Sequence, residues 1–311
     1  MQIYGLDIGG TLIKLALFGN ENAGPLCENL TLKKFHTSCL DASLEFIIDD
    51  ARRKNFSEIV IKATGGGSFK HEGYIKDLFK RNNIWLHFIL VKEMESLHKG
   101  VLYLAKVDQL PQQTILYANI GTGVSILHID GAEFSRVGGS GIGGGTFYGL
   151  YHVMCKLASI LPLDFDEAIN KATFANCLHS KLHLTVGDIY GADPLIKDLD
   201  PTLIAGYFSA CPLLKDAPDI NALAGGLLML VSYAIISCVI ELAKETNPQL
   251  IVIGGSFVGT NGSLFLLSYV ETIKNFMLQV LDYKRMQTKV HFFDLGSHVG
   301  CLGAMALDNK F

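Results

Sequence analysis

The sequence predicts an α/β protein of two lobes, each built on a mixed sheet covered by helices. Three observations carry this. Short apolar, β-branched runs alternate with stretches of helical period in both halves of the chain. The run Ile115-Leu-Tyr-Ala-Asn119-Ile-Gly-Thr-Gly123 repeats the pattern of Ile3-Tyr-Gly-Leu-Asp7-Ile-Gly-Gly-Thr11 about 112 positions later, the mark of a duplicated unit. The length, 311 residues, exceeds one average domain.

Taken in order, residues 2–8 and 12–18 read as two strands around a Gly-Gly turn. Residues 41–54 read as a helix, because Leu44, Ile47, Ile48 and Ala51 recur at spacings of three and four. Glu58–Thr64 is a short apolar strand ending at three glycines, residues 65–67. A strand over Ile84–Val91 leads into a helix over Glu93–Lys106. The stretch Leu110–Thr114 is the natural boundary, giving lobes of residues 1–112 and 113–311. The second hairpin then leads to a glycine-rich stretch at 138–145, which opens a helix near Thr146. A mostly helical region runs to about residue 246, followed by the strand and turn Ile251–Phe257. A helix near 262–281, a strand at 289–294 and a small-residue helix from about 298 complete the chain.

Composition narrows the function classes. About half of the residues are hydrophobic and 18% are charged, which suits a compact core rather than disorder. The net charge of −4, with no block of Lys or Arg, gives no footprint for nucleic acid or an anionic membrane. Seven scattered cysteines without a C-x-x-C pair read as reduced thiols of a cytoplasmic protein. The chain opens on a strand-like run, so no signal peptide is expected. Ala222–Ile240 is long enough to span a bilayer, but it has acidic neighbours and no basic flank. A buried or interface helix is the expectation, and no membrane span.

The glycine turns carry the chemistry. In the turn after Asp7, glycines let backbone N–H groups approach phosphate oxygens; Asp7 suits a hydrated Mg²⁺, and Thr11 and Lys14 suit anionic oxygens. The competing reading is an ordinary hairpin turn. Six glycines within residues 138–145 read as a backbone-lined anion site at a helix N-terminus, against a flexible linker. Gly254-Gly-Ser256 is a third strand-end turn, placed for a nucleoside. Glu93 and Glu95 follow a strand and are the candidates for a general base; as isolated residues both read as solvated helix-start acids. Arg136 reads as a clamp for a phosphoryl group or carboxylate, against a surface ion pair. His179 and His183, at i and i+4, read as a solvent-facing pair rather than metal ligands.

These motifs, in this order, resemble the type II (eukaryotic-like) pantothenate kinases over residues 3 to about 307. The segment from Arg136 to Phe147 and the tetrapeptide from Asp188 to Gly191 carry the resemblance most specifically. It implies a two-lobed actin-like (ribonuclease H-like) ATPase fold and phosphorylation of pantothenate by ATP with Mg²⁺, the first step of coenzyme A biosynthesis. Gly9, Gly10, Thr11 and Lys14 would bind ATP phosphates, with Asp7 at the metal. Thr122 and the run Gly143, Gly144, Gly145, Thr146 and Phe147 would hold phosphates and nucleotide, with Ser256 at the adenosine end. Glu93 would be the base, and Ser125 and Arg136 would contact pantothenate. The Ala222–Ile240 helix would form a homodimer interface. Feedback binding of CoA or acyl-CoA varies within that family and is left open. Two alternatives are a sugar or amino-sugar kinase of the same superfamily and a pseudokinase that senses CoA or nucleotide.

Overall fold

In the computed structural model the described residues are 1–18, 30–111, 113–172, 181–191, 200–258 and 286–307, with 274–275, 277–278 and 281–282. Most of the predicted helix near 262–281 lies outside them.

The first sheet has five strands in the order β3-β2-β1-β4-β5: β1 (Gln2–Ile8), β2 (Leu12–Phe18), β3 (Leu30–His36), β4 (Glu58–Thr64) and β5 (Trp85–Leu90). β1 pairs antiparallel with β2 and parallel with β4. The second sheet comprises β6 (Ile115–Ile120), β7 (Val124–Asp130), β8 (Glu133–Ser140), β11 (Leu250–Gly254) and β12 (Lys289–Phe292). Its order from β8 is β8-β7-β6-β11-β12, with β6 antiparallel to β7 and parallel to β11. The two sheets thus share one topology. Between β8 and β11 in sequence lies a small pair, β9 (Leu184–Thr185) and β10 (Ile204–Gly206). The repeated glycine hairpin is the β1–β2 turn in one sheet and the β6–β7 turn in the other.

Helices cover both sheets. α1 (Leu40–Arg53) buries Leu44, Ile47, Ile48 and Ala51, with Asp41 in its first turn and Arg52 and Arg53 in its last, where the helix dipole favours each sign. With α2 (Gly66–Arg81) it closes a core of Tyr4, Leu6, Ile13, Leu15, Ile61 and Phe79. In the second lobe α4 (Gly144–Leu157), α5 (Phe165–Lys171) and α7 (Ile220–Thr246) cover the other sheet, around Phe147, Leu228, Val231, Val239 and Ile253. The short α6 spans Val186–Tyr190.

α7 contains the uncharged Ala222–Ile240 stretch. It is the one helix among the described residues long and apolar enough to cross a membrane, and most of that stretch is buried inside the protein. Asp219 caps it, accepting from Asn221 N–H at 3.0 Å, and Asn247 ends it in the left-handed region at φ 45°.

The third core lies between the sheets. α3 (Glu93–Val107) and the C-terminal α8 (Val299–Ala306) pack against each other and against Tyr117, Leu127, Ile129 and Val252. Although α8 follows β12 of the second sheet, it lies on β1 of the first. A Cβ at Gly5 would overlap the Cys301 carbonyl, one at Gly100 the Val299 carbonyl, and one at Gly303 the Ser96 carbonyl. Small residues let these backbones touch, and the terminal helix becomes a wedge between β1 and α3. Two equivalent mixed sheets, each flanked by helices, constitute the actin-like two-lobed ATPase fold.

Candidate active site

Asp7 is the penultimate residue of β1 and pairs in register with Lys14 of β2. The Lys14 Nζ lies 3.1 Å from Asp7 Oδ2. Burial pushes the Lys14 ammonium down, but the Asp7 carboxylate more than offsets this and its pKa stands above the usual lysine value. Two glycines make room for Asp7. A Cβ at Gly65, which has φ +83°, would come within 2.7 Å of Asp7 Oδ1, and one at Gly300 within 2.9 Å of Oδ2. Gly65 precedes α2 and Gly300 opens α8, so the carboxylate lies against two helix N-termini, whose dipoles favour negative charge.

The tips of the two hairpins meet. Thr11 Oγ1 lies 3.1 Å from Thr122 Oγ1. Around this contact opens a cleft lined by Thr11, Leu12, Gly121, Thr122, Gly144, Gly145, Tyr148, Phe165 and Ser256. Ser256 reaches it because Gly255, at φ +101°, turns the chain directly after β11; a Cβ there would overlap the Ile120 carbonyl. The N–H of Gly9 closes its own turn on the Leu12 carbonyl at 3.0 Å. The N–H groups of Gly10, Thr11 and Thr122 make no hydrogen bond among the described residues, and they are the donors open to an anion.

The glycine cluster behaves differently from the expectation. Gly138 and Gly139 belong to β8, while α4 begins at Gly144, close to the expected start near Thr146. From Gly143 to Phe147 every N–H is already engaged: Gly143 with Thr146 Oγ1 (3.2 Å), Gly144 with Gly121 O (2.8 Å), Gly145 with Thr122 O (2.9 Å), and Thr146 and Phe147 with Gly143 O. The Thr146 hydroxyl donates to Gly141 O at 3.0 Å. Phe147 is fully buried against Phe165 and Phe257, so its side chain lines no ligand space. The glycines are needed for close approach. A Cβ at Gly143 would come within 2.6 Å of Thr122 O, and one at Gly144 within 2.9 Å of Gly121 O. Residues 143–147 therefore hold the second hairpin in place, with their own N–H groups already bonded within the protein.

Glu93 and Glu95 part company at the start of α3. Glu95 faces Lys92 at 4.0 Å on the surface. Glu93, exposed to solvent, lies within electrostatic reach of the Asp7–Lys14 pair and Arg136. Desolvation, and then the Asp7 carboxylate, push its carboxyl above the usual range, with Lys14 and Arg136 pulling the other way.

Arg136 lies on β8 beside a bulge, where the register with β7 shifts between Ile126 and Leu127. Its guanidinium lies over Gly139, where a Cβ would come within 2.5 Å of Nη2. Gly139 pairs with Ser125, which pairs with Asn119, so all three lie in one row across the sheet. In that row the Asn119 Oδ1 accepts from the Tyr117 hydroxyl at 3.2 Å.

Other expectations fall outside this site. His183 is buried, not solvent-facing; its Nδ1 accepts from the Phe208 N–H at 3.0 Å, while His179 lies outside the described residues. Asp188 caps its own short helix, accepting from the Thr185 N–H (2.9 Å) and hydroxyl (2.8 Å). Sequence reasoning missed Leu12, Tyr148 and Phe165 in the cleft. The two aromatics, 17 positions apart in sequence, meet in T-shaped packing at 5.4 Å at the cleft wall, a contact that local pattern does not show.

Among the described residues no group of three His, Cys, Asp or Glu could cage a metal. A lone carboxylate such as Asp7 still fits Mg²⁺, which commonly binds through one or two carboxylates, waters and substrate phosphates.

The profile of the Fumble family matches residues 3–307. The chain belongs to the Fumble family. Pantothenate kinase 1 of Arabidopsis thaliana is 29% identical to this Fumble-family chain, over 98% of this chain and 85% of the relative. A type II pantothenate kinase of Bacillus thuringiensis subsp. konkukian is 25% identical over 97% and 95% respectively. Among solved structures, MreB5 of Spiroplasma citri bound to ADP is similar at a TM-score of 0.51 and 13% identity, covering 99% of this chain and 96% of that one. The Lmo2764 protein of Listeria monocytogenes, a candidate N-acetylmannosamine kinase, gives 0.50 and 15% over 98% and 97%. This Fumble-family chain shares the actin-like two-lobed fold of those structures and is similar in sequence to pantothenate kinases.

Proposed function

We propose that this chain transfers the γ-phosphoryl group of ATP to the primary hydroxyl of pantothenate. The observation that carries the kinase reading is the meeting of the hairpin tips at Thr11 and Thr122 over a cleft, beside a charged group of Asp7, Lys14, Glu93 and Arg136. Phosphoryl transfer needs positioning and charge neutralisation more than covalent help from the protein. The N–H groups of Gly10, Thr11 and Thr122 and the Lys14 ammonium would receive the phosphates, and Ser256 would border the nucleoside. Asp7 would hold Mg²⁺, which supplies charge neutralisation on the phosphates when bound.

Glu93 would take the proton of the attacking hydroxyl, and Arg136 with Ser125 would hold the acceptor. In this reading residues 1–112 and 113–311 are the two lobes that close on the substrates. Pantothenate as acceptor rests on the relatives named above. A cytoplasmic homodimer through α7, where Leu230 and Tyr233 remain exposed, completes the proposal.

The test is a coupled ADP-release assay with pantothenate against N-acetylglucosamine, N-acetylmannosamine and glucose. Turnover with pantothenate alone supports the reading. Turnover with a sugar and none with pantothenate assigns the sugar-kinase alternative, and ATP binding without any turnover assigns a sensing pseudokinase.

A further inference from the structure

We infer that His98 is a positioning residue, fastening the helix that carries Glu93 to the strand that carries Arg136. His98 follows Glu93 by five residues on α3, about 7.5 Å along the helix axis. It is only 2% exposed, although its neighbours Lys99 and Glu133 are solvated. Its Nε2–H donates to the Gly131 carbonyl at 3.0 Å, in the β7–β8 turn. Its ring stacks on Phe134 with centroids 4.6 Å apart and planes 23° apart. Phe134 stands two residues before Arg136 on β8.

α3 is held on its other side by the contact of Gly100 with Val299 of α8, which lies on the first sheet. His98 is thus a fastening from α3 to the edge hairpin of the second sheet. Without it, the separation between Glu93 and Arg136 rests on apolar packing, which resists sliding less than a directed hydrogen bond and a stacked ring. A base and a clamp misplaced by an ångström lose rate out of proportion to any loss of stability. The inference rests on Glu93 being the proton acceptor.

The experiment compares His98→Phe, which keeps a ring but loses the donor, with His98→Gln, which keeps a donor. The groups facing Glu93 are Asp7, Lys14 and Arg136, and of these Arg136 alone sits on the hairpin His98 holds. In His98→Phe, kcat is expected to fall about ten- to hundredfold with the KM for ATP unchanged. The acidic limb of the kcat profile should move to higher pH, because Arg136 no longer holds the Glu93 pKa down. His98→Gln should recover both. Should His98→Phe not fold, Phe134→Leu, which removes the stacked ring, is expected to shift the limb in the same direction.

Variants that lower Tm while leaving kcat and the limb at wild-type values would overturn the inference. Glu93→Gln is measured alongside: if it stays active, the reading of Glu93 fails; if it is inactive while the His98 and Phe134 variants behave as wild type, only the positioning role fails.

Discussion

Thr11 and Thr122, one at the tip of each copy of the glycine hairpin, face each other with hydroxyls 3.1 Å apart across the two lobes. Each hydroxyl is exposed, so the pair adds little to stability, and its value lies in what it presents to the cleft. Thr122→Val is expected to raise the KM for ATP several-fold, about 1 kcal/mol for one hydrogen bond lost to a phosphate. The melting temperature should change little. Steady-state kinetics with a thermal scan checks both, and an unchanged KM for ATP removes Thr122 from the phosphate site.

Glu93→Gln should lower kcat by roughly 10²–10⁴-fold, the usual contribution of a positioned base. Glu95→Gln should change it less than about twofold, since surface pairs such as Glu95 with Lys92 matter little. Nucleotide titration should show ATP binding intact in both.

The pH profile follows from the raised Glu93 pKa. A base works deprotonated, so activity is lost as pH falls through that raised value, above the ordinary carboxylate range. An acidic limb at the usual glutamate position would show that Glu93 does not limit turnover.

Gly143→Ala places a Cβ within 2.6 Å of the Thr122 carbonyl. Either α4 or the second hairpin must shift, and overpacking of this kind costs about 1–3 kcal/mol. Urea unfolding should show that loss, and ATP affinity should fall with it. Full ATP affinity in a destabilised variant would mean that the hairpin's position does not govern the nucleotide.

Acid should destabilise the fold through its buried histidines. His98, His183 and His298 all have lowered pKa values, chiefly from burial; His298, beside Lys34 as well, is pushed down to about 4. The unfolded chain therefore binds more protons, and stability is complete above the unfolded value near 6.5 and declines as pH falls below it. His298 alone accounts for about 2 kcal/mol between pH 7 and pH 5. Denaturant unfolding across this range measures the slope, and His298→Gln should flatten it.

Much of this protein is written locally. β1, β2 and β4 coincide with the runs read from apolar pattern, and the second copy of the glycine hairpin announces the second sheet. α1 and α3 follow from their periodicity to within a residue. The sequence signals were weaker where glycine interrupts the pattern. Glycines 65–67 read as a strand-end turn with no helix after them, yet α2 begins at Gly66, and Ile75 and Phe79 anchor it in the core. β8 contains Gly138 and Gly139, and pairing with β7 makes a strand of what its composition describes as a loop.

By itself the sequence determined the duplicated sheets, the two hairpins and the set of charged residues available to a site. Only the tertiary structure decided which of them face one another. Glu93 and Glu95 are alike as helix-start acids until α3 is set against β1 and β8, and then Glu93 lies within electrostatic reach of Asp7, Lys14 and Arg136 while Glu95 pairs with Lys92. The glycines at 143–145 and at 9–10 look equally suited to phosphate. The N–H groups of Gly143, Gly144 and Gly145 are occupied, two of them by carbonyls of the second hairpin, whereas that of Gly10 is left open. Whether a donor is free depends on what packs against it, and contacts between residues distant in the chain leave no trace in local pattern.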